Sequence, residues 1–372
     1  MSGGRGPAVR LVATASIVLL AMAACSSGPP REDGCNGARQ RSGNTFYENN
    51  PTYTDRGDVA SGATMSTPEA EGIDGARLDA GVSALAGNNS VQSVAVVRHG
   101  RFAYERYVNS GGMDQSNNVH SVSKSILQAV LATAIEKGFI NSLDDTVSRY
   151  LPGYPNADRI TLRNLIEMRS GLRWTEDRTE YRIEKESDWV WAILDQGLVA
   201  TPGTVFTYSS GNTHVLSAVI QAATKTGTCQ FAENNLLTPL GITVEHWGRD
   251  PQGIYSGGYN VYLNTREMAT FGLLYLDDGI HNGTRVIPEW AVTAAATTTT
   301  TENGSGPGYS QGWWTRTIAG HHMYFAWGYG GQFIYVMPDL ATVLVITQNT
   351  LRRDREVDSA AFVERYVIPA LL

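Results

Sequence analysis

From residue 91 the chain reads VQSVAVVRHGRFAYERYVN. Val, Ala, Phe and Tyr alternate with polar residues on either side of His99-Gly100, which predicts two strands joined by a tight turn. The same signature returns near the other end in GWWTRT, HMYFAW, QFIYVMP and ATVLVITQN. Between about 140 and 305 the period changes. ITLRNLIEMRSG, SDWVWAILDQG, THVLSAVIQAATKTG, NTREMATFGLLYLDDG and IPEWAVTAAATT carry apolar residues at helical spacing, as do ARLDAGVSALAG at 76–87 and the last stretch, 355–370. Strands at both ends with helices between them predict an α+β fold. One antiparallel sheet is assembled from the two chain ends, with a helical region beside it.

The start of the chain follows a different pattern. MSGGRGPAVR carries two arginines and no acid, and LVATASIVLLAMAA is an apolar run too short for a comfortable membrane span. It ends in Ala23-Ala24-Cys25, which resembles a bacterial lipoprotein signal. That resemblance implies a signal peptide at 1–24, lipidation of Cys25 and an extracytoplasmic protein held on the cell membrane by its acyl chains. Residues 25–75 are rich in Gly, Ser, Pro, Asn and Thr and read as a flexible tether, leaving 76–372 as the folded domain. Cys35 lies in the tether and Cys229 in the domain. They either pair, pinning one to the other, or remain a loose thiol and a buried one.

With 372 residues, 42% hydrophobic and 17% charged, the chain can bury a sizeable core. Its net charge of −7 and the absence of a basic stripe exclude nucleic acid as an expected partner. The seven histidines form no HExxH, no cysteine pair has metal spacing, and no glycine-rich phosphate loop occurs, so neither metal nor cofactor is expected.

The candidate chemistry lies in NNVHSVSKSILQAVLATAIEKGF, 117–139. Ser121 and Lys124 are three apart and share a helix face, whereas Ser123 and Ser125 are adjacent to Lys124 and point elsewhere. A serine hydroxyl needs a base. A buried lysine near the positive end of a helix favours its neutral amine form, which can act as one. The N–H of Ser121 can contribute to an oxyanion hole. The plain alternative is a serine cap beside a solvated lysine.

The surrounding segments resemble the serine β-lactamase and penicillin-binding superfamily, in particular its class C and esterase-like branch. FINSLDDTVSRYLPGY, ITLRNLIEMRSGLRW, PLGIT and NTREMATFGLLYLDDG are similar to family segments, and the resemblance spans roughly 75–370. In PGTVFTYSSGNTHVLSAVI, Tyr208 fills the tyrosine of the second motif and Ser210 stands where class C enzymes have asparagine. That form resembles the 6-aminohexanoate-oligomer hydrolases. The resemblance implies a β-lactamase-like fold and a hydrolase that forms an acyl-enzyme on Ser121, with Lys124 as base and Tyr208 as proton relay. Its substrate would be a small ester or amide.

The third motif departs from the family. Phe325, Ala326 and Trp327 replace the cation, hydroxyl and glycine that hold the carboxylate of β-lactams and D-Ala peptides. Phe325 and Trp327 are expected to form an apolar wall, Trp313 to line the pocket, and Gly328 to supply the second oxyanion N–H. His321 and His322 read as surface residues. Lys225-Thr226-Gly227 spells the missing motif but ends a helix. Gly308 to Gly312 spells G-x-S-x-G but lacks the strand-to-helix setting. A non-catalytic binding protein on the same scaffold, and a β-lactamase or D-Ala peptidase, are the rival readings. The intact Ser121–Lys124–Tyr208 set opposes the first and the missing cation the second.

Overall fold

The computed structural model describes residues 64–109, 111–176, 178–301, 306–350 and 356–372, together with Cys35 and, at the start of the chain, Met1 and Gly3. Nine strands form the main sheet: β1 (Thr64–Met65), β2 (Val91–Arg98), β3 (Arg101–Tyr107), β4 (Thr300–Thr301), β5 (Gly308–Ser310), β6 (Trp313–Ile318), β7 (His321–Gly328), β8 (Gln332–Met337) and β9 (Thr342–Gln348). Their order is β1-β3-β2-β9-β8-β7-β6-β5-β4, so the two chain ends meet where β2 pairs with β9. The register there sets Val94 against Ile346 and Val96 against Leu344, antiparallel.

Two details differ from the sequence-based expectation. The edge strand β1 pairs with β3 in parallel, so the sheet is mixed. That strand and the short turn Glu69–Glu71 also belong to the fold, which therefore reaches back into the stretch expected to be tether. Asp74 then caps α1 (Gly75–Ala86) by accepting from the N–H of Arg77.

The central strands are buried on both faces because helices cover both. On one face Ala95, Val97, Ala326, Ile334, Val343 and Val345 pack against the helical region, including α2 (Ser123–Glu136), α3 (Ser210–Thr224) and α4 (Thr265–Leu276). On the other, Val94, Val96, Phe325, Tyr335, Leu344 and Ile346 meet α1 and the helical turns Ser359–Phe362, Val363–Val367 and Ile368–Leu371. Helix α2 is buried from Ser123 to Ala134, as its SILQAVLATA run with no polar face requires. Burial of this helix carries Lys124 into the interior.

Cys35 and Cys229 form a disulfide with a Cα–Cα distance of 5.4 Å. The Gln230 and Tyr255 side chains both donate to the Cys35 carbonyl, which reinforces the link. Among the described residues no helix is long and apolar enough to cross a membrane. Cys25 and the rest of 4–34 lie outside the described residues.

Candidate active site

The three serines of the opening motif part company. Ser121 sits in a short turn, His120–Val122, just ahead of α2, and is half-buried. Ser123 is fully buried, and Ser125 donates to the Gly312 carbonyl at 2.7 Å. Only Ser121 among them meets Lys124, whose Nζ donates to its Oγ at 2.9 Å. His120 has φ 46°, in the left-handed region, so the chain bends sharply just before Ser121. Asn118 fixes that bend by accepting from the N–H of both His120 and Asn260.

Lys124 is 1% exposed and has two further acceptors, Ser210 Oγ at 2.9 Å and the Gly258 carbonyl at 3.1 Å. An ammonium has three protons to give such acceptors. The Tyr208 ring centroid lies 4.8 Å from the same nitrogen. Tyr208 and Ser210 arrive together because α3 begins at Ser210, with Ser209 capping the N–H of Asn212. The structure therefore brings Ser121, Lys124, Tyr208 and Ser210 into one cluster.

Gly328 ends β7 beside the turn that carries Ser121. A Cβ at this position would stand 2.1 Å from the carbonyl oxygen of Val119, so only glycine lets the strand approach this closely. The apolar wall, however, is not the expected one. Phe325 is 2% exposed and stacks on Tyr335 with centroids 4.8 Å apart, beneath the sheet surface. Trp313 is fully buried, within 6.0 Å of the rings of Phe271, Tyr275 and Tyr324 on the helical face. Its neighbour Trp314 faces the other way, stacks on Tyr208 at 5.6 Å and meets Trp327 at 5.7 Å. Trp327 remains partly exposed, so Tyr208, Trp314 and Trp327 form the aromatic wall.

His321 and His322 stand at the opposite end of β7, bound to Asp339 and to the Ala296 carbonyl. Neither replaces the missing cation. An acid lies nearer: Glu356 accepts from the Trp327 indole N–H at 2.9 Å, and burial pushes its carboxyl above the usual range. Lys225-Thr226-Gly227 is a helix end, with Lys225 itself in the left-handed conformation. Gly308 to Gly312 is strand and hairpin turn, with Ser310 fully buried.

Three participants were not foreseen. The Gly258 carbonyl reaches Lys124 only because a side chain there would meet Thr213 Oγ1 at 2.6 Å. His120 is fully buried, and burial first, then the charge of Lys124, lower its pKa to about 3. Glu176 accepts from Ser210 Oγ at 3.0 Å, from the Ser210 N–H at 2.5 Å and from the Trp174 indole N–H at 2.8 Å. The adjacent glycines 257–258 were a readable signal, but nothing in the spacing marks Glu176, which stands 34 positions from its main partner.

A family model described as Beta-lactamase matches residues 80–367. Among solved structures, a Bacillus anthracis protein assigned as a 6-aminohexanoate-dimer hydrolase superposes with TM-score 0.68 at 21% identity, over 78% of this chain and 81% of its own. A D-stereospecific amidohydrolase from Streptomyces sp. gives 0.62 at 22% identity, over 79% and 98%. At these identities the likeness concerns the fold. An uncharacterised protein of Alkalihalophilus pseudofirmus is 24% identical over 213 residues, 53% of this chain and 61% of that protein. The chain thus spans about three fifths of that curated relative, and less than a third of others it matches.

Proposed function

The chain belongs to the β-lactamase family, and from that premise we propose that it cleaves an ester or amide through an acyl-enzyme on Ser121. The observation that carries this reading is the buried Lys124 Nζ, 2.9 Å from a half-buried serine hydroxyl. Ser121 Oγ adds to the carbonyl carbon while its proton passes to neutral Lys124. The N–H groups of Ser121 and Gly328 hold the oxyanion. Tyr208 gives its proton to the departing oxygen or nitrogen and is reprotonated from Lys124. Water then attacks the acyl carbonyl, losing its proton to the same pair, and Ser121 leaves with a proton restored. A labelled fluorophosphonate with intact-mass analysis tests this. Ser121→Ala abolishes labelling, and Ser123→Ala and Ser310→Ala do not. Labelling that persists without Ser121 overturns the assignment.

The preferred substrate is uncharged beside the scissile bond. A hydrogen bond to a charged group is worth roughly 1.5–3 kcal/mol. With Phe325 in place of the third-motif cation, β-lactams are expected to lose about one to two orders of magnitude in kcat/KM. p-Nitrophenyl butyrate is expected to exceed nitrocefin in kcat/KM, and the reverse order refutes this preference.

We place the enzyme on the outer side of a bacterial cell membrane, lipid-anchored through Cys25. The Ala23-Ala24-Cys25 sequence supports the anchor, and the Cys35–Cys229 disulfide supports an oxidising compartment.

A further inference from the structure

We propose that Glu176 is a positioning residue that fixes the direction of the Ser210 hydroxyl and thereby keeps the lone pair of Lys124 aimed at Ser121. The inference rests on the Ser121–Lys124 reading and deepens it.

The argument is a count of protons. A neutral lysine has two N–H groups and one lone pair. Among its partners are Ser121 Oγ, Ser210 Oγ and the Gly258 carbonyl. The carbonyl can only accept, so it takes one N–H. For the lone pair to face Ser121, Ser210 must accept from the lysine and not donate to it. A free hydroxyl offers no such guarantee, because it can turn its own hydrogen to the lysine lone pair and compete with Ser121. Glu176 removes that choice: its carboxylate can only accept, and it takes the hydrogen of Ser210 Oγ, 3.0 Å away. The Ser210 and Trp174 N–H groups in turn hold the carboxylate. The chain Glu176–Ser210–Lys124–Ser121 is then polarised in one direction.

Glu176→Gln is nearly isosteric and reverses that direction. The amide oxygen takes the Ser210 and Trp174 N–H groups, and the amide nitrogen then donates to Ser210 Oγ. The Ser210 hydrogen is driven onto Lys124. The other titratable groups around the lysine are His120, in the turn before α2, and Tyr208. Tyr309 on β5 meets Tyr208, and burial pushes its hydroxyl well above its ordinary range, with Tyr208 and Glu176 adding to the shift. All three remain in the variant.

The test measures the full-length protein with p-nitrophenyl butyrate across pH, for wild type, Glu176→Gln, Ser210→Ala and the double variant. Glu176→Gln is expected to lower kcat by about 10- to 100-fold, within the range of base catalysis, with KM little changed. The acid limb of the kcat profile should also move to lower pH, since a nearby negative charge that favours the ammonium has gone. Glu176→Asp should recover part of kcat. The double variant should be no slower than Ser210→Ala. An unmoved acid limb, or losses that add in the double variant, would overturn the inference. Fluorophosphonate labelling of Ser121 separates the two readings: a wild type not labelled there fails the parent reading, whatever Glu176 does.

Discussion

His120 shows how a single residue can be held in a state its ordinary chemistry disfavours. It is neutral in the fold because burial and Lys124 lower its pKa to about 3, whereas in the unfolded chain it takes a proton near 6.5. The native state therefore binds fewer protons than the unfolded state between those values. The stability this group contributes is complete above about 6.5 and is lost as pH falls toward 3, at no more than about 1.4 kcal/mol per pH unit. His120→Asn tolerates the left-handed backbone and has no such titration. Denaturant titrations should find its stability flatter than wild type across that window, and parallel curves would refute the assignment. At this scale the sequence was readable where chemistry is local. Ser121 and Lys124 are one turn apart, so their meeting follows from helix geometry. Glu176 reaches Ser210, and the Gly258 carbonyl reaches the lysine, through tertiary packing, and no spacing rule reports that.

Among the elements, β7 does most to complete the site, and its last residue tolerates no side chain. Gly328→Ala places a methyl group 2.1 Å from the Val119 oxygen, a backbone atom that cannot turn aside. The strand end must withdraw from the nucleophile turn. Since loss of one oxyanion donor costs about 100- to 1,000-fold in kcat, the variant should lose at least about a hundredfold while keeping the far-ultraviolet spectrum of wild type. Unchanged kcat would show that Gly328 does not serve the oxyanion. Strands also explain the two misplaced aromatic residues. A side chain on a strand changes face with every step, so an error of one residue exchanges pocket for core. The hairpin at Gln311 and Gly312, both at positive φ, sets which of Trp313 and Trp314 faces Tyr208, and its register is invisible in the sequence. Phe325 shares a face with Trp327 but lies deeper under the sheet, where Tyr335 covers it. The alternation that predicted the strands could not tell edge from interior along them.

The disulfide and the split sheet belong to the whole molecule. Cys35 and Cys229 are 194 positions apart, and a loop that long is worth about 5 kcal/mol in chain-entropy accounting. Cys35→Ser with Cys229→Ser should lower Tm by about 10 °C with kcat nearly intact, and an unchanged Tm would refute the contribution. Cys25→Ser should release the protein from membranes or leave its precursor uncleaved, and a wild type that is soluble and begins elsewhere refutes the anchor. The broad architecture was legible because its helices and strands have distinct periods. The parallel edge pair was not, since β1 is two residues long and bears no pattern. The pairing of β2 with β9 has a temporal consequence. The nucleophile turn emerges early in synthesis, but Gly328 and the strands that close the sheet emerge near the end. Contacts this remote in sequence form late and slowly. A growing or truncated chain therefore holds Ser121 without Gly328 beside it, and on the proposed reading activity waits until the last strands are in place.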